Sequence, residues 1–156
     1  MITGIETSSF IEFVGLFIFL AGFVIGMGAV TVIDVHGLLG NNSKYWTETT
    51  IRVHKVTKPL IWVGIFLVIL GGLIFYWGIP FVGMPLLHTI IVIILIANGV
   101  FLSFHISPIL LKREKEGIAR ELLPVSLKRK IVASLVFSDL GWWIALLLLA
   151  WKLTIG

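Results

Sequence analysis

The chain contains no cysteine, and only 13% of its 156 residues are charged. The missing cysteines exclude disulfides, thiolate nucleophiles and cysteine-ligated zinc or iron–sulfur centres, so a metal site would need histidine, aspartate or glutamate. Soluble domains have about a quarter charged residues, roughly twice the fraction found here. Together with 58% hydrophobic residues and a mean hydropathy of +1.10, the low charge indicates an integral membrane protein.

Four apolar runs of about 20 residues are present, and each is long enough to cross a hydrocarbon core of about 30 Å as a helix. With their flanks they predict transmembrane helices at roughly 10–38, 51–77, 86–111 and 127–154, within a single domain of residues 1–156. The first run has no basic segment before it and is longer than the apolar part of a signal peptide. We therefore expect it to remain in the mature protein.

The lysines and arginines are confined to two connections. Every one of the 12 except Lys152 lies in or beside the loops predicted at 39–50 and 112–126. The positive-inside rule places these loops in the cytoplasm and both termini outside. Because membrane topology explains the basic residues, we expect the lipid bilayer, and not nucleic acid, as the partner.

The connections are short, which favours antiparallel packing of consecutive helices. The expected fold class is all-α: an up-down-up-down four-helix bundle of the cell's inner (plasma) membrane, with both termini outside. The longer connection before the last helix alternates apolar and charged residues over 109–123. This pattern predicts a short amphipathic segment on the cytoplasmic leaflet.

Polar side chains within the apolar runs are informative, because a charge at the bilayer centre costs at least about 2.5 kcal/mol. Asn98 and His105 are seven residues apart and therefore share one face of a regular helix. Asp139 lies well inside the last helix. We predict a site in the cytoplasmic half, with Asp139 and Asn98 as catalytic candidates and His105 as a cofactor or metal ligand. The alternatives are a structural hydrogen bond between Asp139 and Asn98, and a hydrogen-bonded core histidine at 105.

Two further histidines, His36 and His54, lie where the first two helices meet the headgroup region, beside Asp34 and Lys58. They are candidates for secondary cofactor ligands. An imidazole at this depth can also contact water or phosphate at little cost, so an ordinary interfacial role is the alternative for both.

Glycines offer a close-packing face on the first helix. Gly22 and Gly26 form a small-xxx-small pair that lets another helix, or a flat ligand, approach the backbone. We name both as cofactor-binding candidates, with plain helix packing as the alternative. A haem would need only one or two axial ligands and room for its ring. No Glu-x-x-His or His-x-x-x-His spacing is present, so any metal coordination would need separate helices.

Four stretches have a recognisable pattern: FLAGF at 19–23, RVHKVTKPLIWVGIFLVILGGLIFY at 52–76, FH at 104–105 and FSDLGWW at 137–143. In these the chain resembles, over nearly its full length, the HemJ-type group of small four-helix membrane proteins, a haem-linked protoporphyrinogen oxidase family, and its CopD-like relatives. The resemblance implies a membrane bundle with porphyrin chemistry, with His105 and Asp139 as site residues. The chain departs from the family pattern near Glu12, where the family has a histidine, and in helix 3, which lacks the family's lysine.

Three functions fit this sequence. The first is a haem- or porphyrin-associated redox protein, with haem b as the expected cofactor, His105 with His54 or His36 as ligands, and Asp139 as proton acceptor. The second is a non-catalytic small subunit of a larger membrane complex. The third is a proton- or metal-linked carrier, which would need a homo-oligomer because four helices are few for a transporter. An enzyme and a non-catalytic protein are thus both compatible with the pattern.

Overall fold

The computed structural model describes residues 2–40 and 42–154, with side chains from residue 9 onward. All regular elements in these ranges are helical: α1 Ile2–Leu39, α2 Lys44–Phe75, α3 Met84–Phe101, a π-helical turn Leu102–Ile106, α4 Ser107–Lys115 and α5 Val125–Thr154. α3, the π-helical turn and α4 form one continuous span, Met84–Lys115. Within the described residues, four helices are therefore long and apolar enough to cross a membrane. The predicted all-α class is confirmed, and the four apolar helices indicate an integral membrane protein.

Several helix ends differ from the boundaries expected from sequence; α1, for example, begins at Ile2 and not near residue 10. α2 begins at Lys44, about two turns earlier than expected, because the Ser43 hydroxyl accepts a hydrogen bond from a backbone amide of the first turn and caps the helix. The segment expected to be amphipathic over 109–123 is helical only as far as Lys115. Gly117 then adopts a φ of +75°, which ends the helix.

α1 and α2 pack closely because glycines on both helices let the backbones meet. A methyl group added at Gly22 would lie 2.6 Å from the backbone nitrogen of Val68. One added at Gly64 would clash with the backbone of Gly26. Since hydrophobic burial does not drive helices together within lipid, this close contact between small residues is what holds the pair.

Two apolar clusters join the remaining helices at different heights. The larger one consists of Phe19, Phe23, Val30, Ile65, Val68, Phe75, Leu95, Trp142, Ala145 and Leu149. The smaller one consists of Ile51, Ile106, Leu110 and Ala119. The space between these clusters holds the candidate site.

Candidate functional site

A cavity of about 100 Å³ lies between the two apolar clusters, bordered mainly by α2, α3, the π-helical turn and α5. Trp142 and Leu95 of the larger cluster line it, as do Ile51 and Leu110 of the smaller cluster. One water molecule needs roughly 10–15 Å³ of such space. The cavity therefore has room for several waters or for part of an organic ligand.

Two prolines interrupt the spans that border the cavity. Pro59 lies inside α2, and Pro108 follows the π-helical turn. In that turn a backbone N–H bonds to the carbonyl five residues earlier, as Ser107 does to Leu102. The residue five positions after Ser103 is Pro108, which has no N–H. The Ser103 carbonyl therefore lacks its π-type backbone donor and can accept from a side chain.

Ser103 anchors two side chains of α2. Lys58 Nζ donates to the Ser103 carbonyl over 3.4 Å, and Trp62 Nε1 donates to the Ser103 hydroxyl over 3.1 Å. One turn before Lys58, His54 also lines the cavity. Its Nε2 is buried and has no hydrogen-bond partner among the described residues. One wall of the cavity thus carries polar groups, while much of the rest is apolar.

This polar wall is basic. Lys58 lies close enough to His54 for the two side chains to interact electrostatically, and Lys128 of α5 also lines the cavity. In the described part of the chain, neither His54 nor Lys58 has a carboxylate within 4.0 Å. The nearby acids of the loop region are paired elsewhere, for example Glu48 with two arginines. The pair His54 and Lys58, with no carboxylate of the described residues within 4.0 Å, favours an anionic ligand.

Two of the residues predicted from sequence, His54 and Asn98, line this cavity. The Asn98 amide donates to the Ser134 backbone carbonyl over 3.0 Å, and the Ser134 hydroxyl donates to Asn98 Oδ1. Both groups of the amide are engaged, so the contact joins α3 to α5. Asn98 therefore makes a structural hydrogen bond, which was the alternative to a catalytic role. Its partner is Ser134, whereas the sequence suggested Asp139.

His105 lies on a different face from Asn98. Its side chain is exposed, and its ring stacks on Phe101 with the centroids 5.5 Å apart. The seven-residue spacing puts two residues on one face only in a regular α-helix. The π-helical turn Leu102–Ile106 adds residues to a turn and rotates His105 away from the cavity.

His36 also lies outside the cavity lining. Its Nδ1 is 2.7 Å from the carbonyl oxygen of Val32, one turn earlier, and its ring packs edge-on against Trp46. These contacts join the end of α1 to the beginning of α2. Among the predicted histidine ligands, the structure therefore brings His54 alone to the cavity.

The glycine face of α1 is filled by other parts of the protein. Gly22 lies against Val68 and Gly64, and a methyl group added at Gly26 would clash with the indole of Trp142. Helix packing thus occupies the surface that was a candidate for a flat ligand.

Asp139 lies outside the cavity lining, on the seam between α5 and α1. It is close enough to Asp34 for the two carboxylates to interact electrostatically. Asp34 is only 9% exposed, and its Oδ1 has no hydrogen-bond partner in the described residues. The neighbour of Asp139 is thus an acid of α1, and not the expected His105 or Asn98.

Sequence reasoning did not give Lys58, Trp62 or Ser103 a role in the site. The signal that could have found them is the pair of prolines, Pro59 and Pro108, since each removes a backbone donor from a membrane-spanning helix. The described residues contain no group of three or more histidine, aspartate and glutamate side chains that could hold a metal ion. Comparison of the chain with protein-family models, with curated proteins and with solved structures finds no match.

Proposed function

We propose that this integral membrane protein binds an amphiphilic anion in the cavity between α2, α3 and α5. The observation that carries the proposal is the pair His54 and Lys58. These two basic side chains share a cavity wall, and no carboxylate of the described residues lies within 4.0 Å of either.

An anionic head group would satisfy both side chains. Lys58 lies within the span Lys44–Phe75, where a charge is costly without a partner, and its hydrogen bond to a neutral carbonyl is long at 3.4 Å. Charge-assisted bonds to a carboxylate or phosphate are about twice as strong as neutral ones. The unpartnered Nε2 of His54 would supply a second contact to the same head group.

The rest of the cavity suits an apolar body. Its lining includes Ile61 and Leu135 together with the indoles of Trp62 and Trp142. Ligand sites commonly combine such a surface with a few polar groups that fix orientation. An inner-leaflet lipid and a porphyrin with carboxylate side chains both have this chemistry: an acid at one end and an apolar body.

Haem b is the second candidate, favoured by the free Nε2 of His54; the cavity of about 100 Å³ has room for only part of its ring, so the helices would have to move apart to admit it. Haem iron is commonly held by an imidazole nitrogen, and bound haem would supply one-electron redox chemistry. In that case Lys58 would pair with a haem carboxylate. The resemblance to HemJ-type and CopD-like proteins supports the same function, although it pointed to His105 as the ligand.

We propose the same topology that the charges predict: an up-down-up-down bundle in the plasma membrane, with both termini outside. Contacts between α1 and α2 support it, because Gly15 lies against Phe75 near the end of α2 and His36 lies against Trp46 near its start. The basic residues gather at the end of the bundle that holds the cavity. The ligand would then enter from the cytoplasmic leaflet, where anionic lipids are concentrated.

The test is to purify the full chain from its native membrane in mild detergent and to identify what remains bound, by absorption spectrum and by mass spectrometry of the extract. The variant is Lys58→Gln, and the matched control is Lys112→Gln, since Lys112 is 76% exposed. We expect the wild type and the control to retain one anionic amphiphile per chain. Lys58→Gln should retain at least about tenfold less, because a bond to a charged group contributes about 1.5–3 kcal/mol.

The outcomes separate the two ligand sources. A Soret band identifies haem or a porphyrin, and a lipid anion in the extract identifies the lipid. A wild type that retains neither, or equal retention by both variants, overturns the binding proposal. Migration of such a ligand-free chain with a larger assembly would instead favour a non-catalytic subunit.

A further inference from the structure

The cavity is long and narrow. Its lining on α2 includes Ile51 of the smaller apolar cluster and Ile65 of the larger one, which lie about 21 Å apart along the helix axis. The volume of about 100 Å³ corresponds to roughly seven to ten waters, about as many as a single file holds over that length. A space of this width admits one unbranched chain, and it excludes a flat macrocycle or two chains side by side.

The two ends of the cavity differ in polarity. Thr47, Thr50 and Lys128 line the end next to the loops, where both threonine hydroxyls donate to backbone carbonyls at the end of α1. The opposite end is closed by the indole of Trp142, which is 1% exposed and belongs to the larger apolar cluster. An amphiphile in this cavity would therefore point its head toward the loops and its tail toward Trp142.

The part of the cavity between Lys58 and Trp142 forms an apolar arm of limited length. From Lys58 to Ile65 the reach along α2 is about 10 Å. From Ser103, whose carbonyl holds Lys58, to Leu95 the reach along α3 is about 12 Å. With C–C bonds of about 1.5 Å in a staggered zigzag, these distances correspond to a chain of roughly eight to ten carbons.

Two donors lie at the start of this arm. His54 and Lys58 are one turn apart on α2; the buried His54 Nε2 has no partner among the described residues, and the bond from Lys58 Nζ is long at 3.4 Å. A carboxylate has two oxygens, so a single carboxylate can accept from Nζ and from the His54 tautomer that is protonated at Nε2. Among the described residues that line the cavity there is no arginine, the side chain that binds phosphate through two parallel bonds.

Building on the anion binding proposed above, we propose that the ligand is a straight-chain fatty acid of about eight to ten carbons, with its carboxylate on His54 and Lys58 and its tail ending at Trp142. The head group gives the unpartnered imidazole nitrogen a hydrogen bond, and the tail fills the apolar arm. That arm also contains the Asn98 amide, which is already bonded to α5, and the Ser138 hydroxyl, and neither carries a charge. Trp142 then sets the longest chain that the cavity accepts.

The test is native mass spectrometry of the full chain released from detergent micelles, after incubation with an equimolar mixture of hexanoate, octanoate, decanoate, dodecanoate and palmitate. We expect one acid per chain, octanoate or decanoate. Palmitate should be retained at least about fivefold less, because a tail too long for a closed, packed site is unfavourable. Decanol, which has the same tail as decanoate without the charge, should not displace it.

Two adjacent tryptophans provide a matched pair of variants, since Trp142 is 1% exposed and Trp143 is 53% exposed. Trp142→Phe should shift the retained acid toward dodecanoate, because the smaller ring lengthens the arm. Trp143→Phe should leave the preferred chain length unchanged. The comparison of acids on the wild type needs no variant, so the test holds even if Trp142→Phe does not fold.

A wild type that retains palmitate as well as decanoate would overturn the assignment of a chain of limited length, as would a change of chain length in Trp143→Phe alone. A wild type that holds a two-chain lipid or a porphyrin and takes up no fatty acid would overturn this inference and leave the binding of an amphiphilic anion in place. A wild type that holds no anionic amphiphile of any kind would overturn both.

Discussion

The Tyr76 hydroxyl lies 3.0 Å from Nδ1 of His88, whose Nε2 lies 3.0 Å from the carbonyl oxygen of Ala145. His88 Nδ1 also lies 3.1 Å from the carbonyl oxygen of Met84, so both ring nitrogens have hydrogen-bond partners within the protein. His88 is 4% exposed. His88 of α3 therefore links this helix to α5 and to the end of α2. These contacts lie at the end of the bundle remote from the cavity.

The first prediction concerns the titration of Tyr76. Burial raises the pKa of Tyr76 to about 12, from an ordinary value of about 10. The folded state thus holds the phenolic proton more tightly than the unfolded state does. The resulting stabilisation is complete below about pH 10 and is lost as the pH rises to about 12.

The measurement uses the fact that the chain has only two tyrosines. In Tyr45→Phe, Tyr76 is the one remaining tyrosine, and the ultraviolet absorption of tyrosinate should appear with a midpoint near pH 12. Tyr76→Phe is the reciprocal control. A midpoint for Tyr76 at the ordinary value would contradict the burial and the contact with His88.

The second prediction is that α1 and α2 do not tolerate a methyl group between them. Gly64→Ala places a carbon against the backbone of Gly26, which cannot move aside as a side chain end can. We expect a loss of about 1–3 kcal/mol in the free energy of unfolding, measured by denaturant titration in mixed micelles. Gly28→Ala is the control, because nothing lies within 4 Å of its added methyl group. Equal effects of the two substitutions would argue against the close packing.

The third prediction is that Asn98 and Ser134 act as one structural unit. Asn98→Ala removes both bonds between the two residues, whereas Ser134→Ala removes only the bond from the hydroxyl and leaves the one to its backbone carbonyl. A double-mutant cycle on unfolding should give a coupling energy of about 0.6–1.7 kcal/mol, the range for hydrogen bonds between membrane helices. Purely additive effects would show that the two side chains do not interact. Retention of the ligand by Asn98→Ala would separate this role from a ligand-binding one.

Much of the fold follows from the sequence, because a bilayer imposes helices of a definite length on apolar runs. Four runs of about 20 residues gave four helices, and the glycine spacing of α1 indicated one of its two packing faces. The residues at which the helices begin and end were less predictable. Ser43 extends α2 toward the loop by capping it, and a single serine before a polar segment is a weak signal.

The composition of the site was harder to predict, since it depends on a local departure from α-helical periodicity. Asn98 and His105 share a face only if the helix between them is regular, and the turn before Pro108 is not. The proximity of Asp34 to Asp139 depends on how α1 and α5 pack together. The positions of residues along either helix alone do not indicate that the two acids are close.

The fourth prediction concerns the turn between α4 and α5. Glu48 accepts from Arg120 of that turn over 2.6 Å and from Arg52 over 2.7 Å, which ties the turn to α2. Glu48→Gln should release the turn, so trypsin should cleave after Arg120 several-fold faster in the solubilised protein. High salt should accelerate cleavage of the wild type in the same direction, because it screens exposed ion pairs.

The control for this experiment is Glu116→Gln, which removes only a 3.7 Å pair between exposed side chains of α4 and the residue that follows it. It should leave cleavage after Arg120 unchanged. Faster cleavage in the control than in Glu48→Gln would show that the turn is held by something other than Glu48.

The fifth prediction tests whether His54 or His105 contacts the bound ligand. His54→Leu removes the buried Nε2 from the cavity wall and should strongly reduce retention of the bound anion, or abolish a haem spectrum if the ligand is haem. His105→Leu alters an exposed ring stacked on Phe101. It should change neither ligand retention nor, by more than about 0.5 kcal/mol, the free energy of unfolding. The opposite result, loss of ligand only in His105→Leu, would place the ligand on the outward face of the π-helical turn. Since that face is exposed in a single chain, a site there would have to be completed by lipid or by a second copy of the protein.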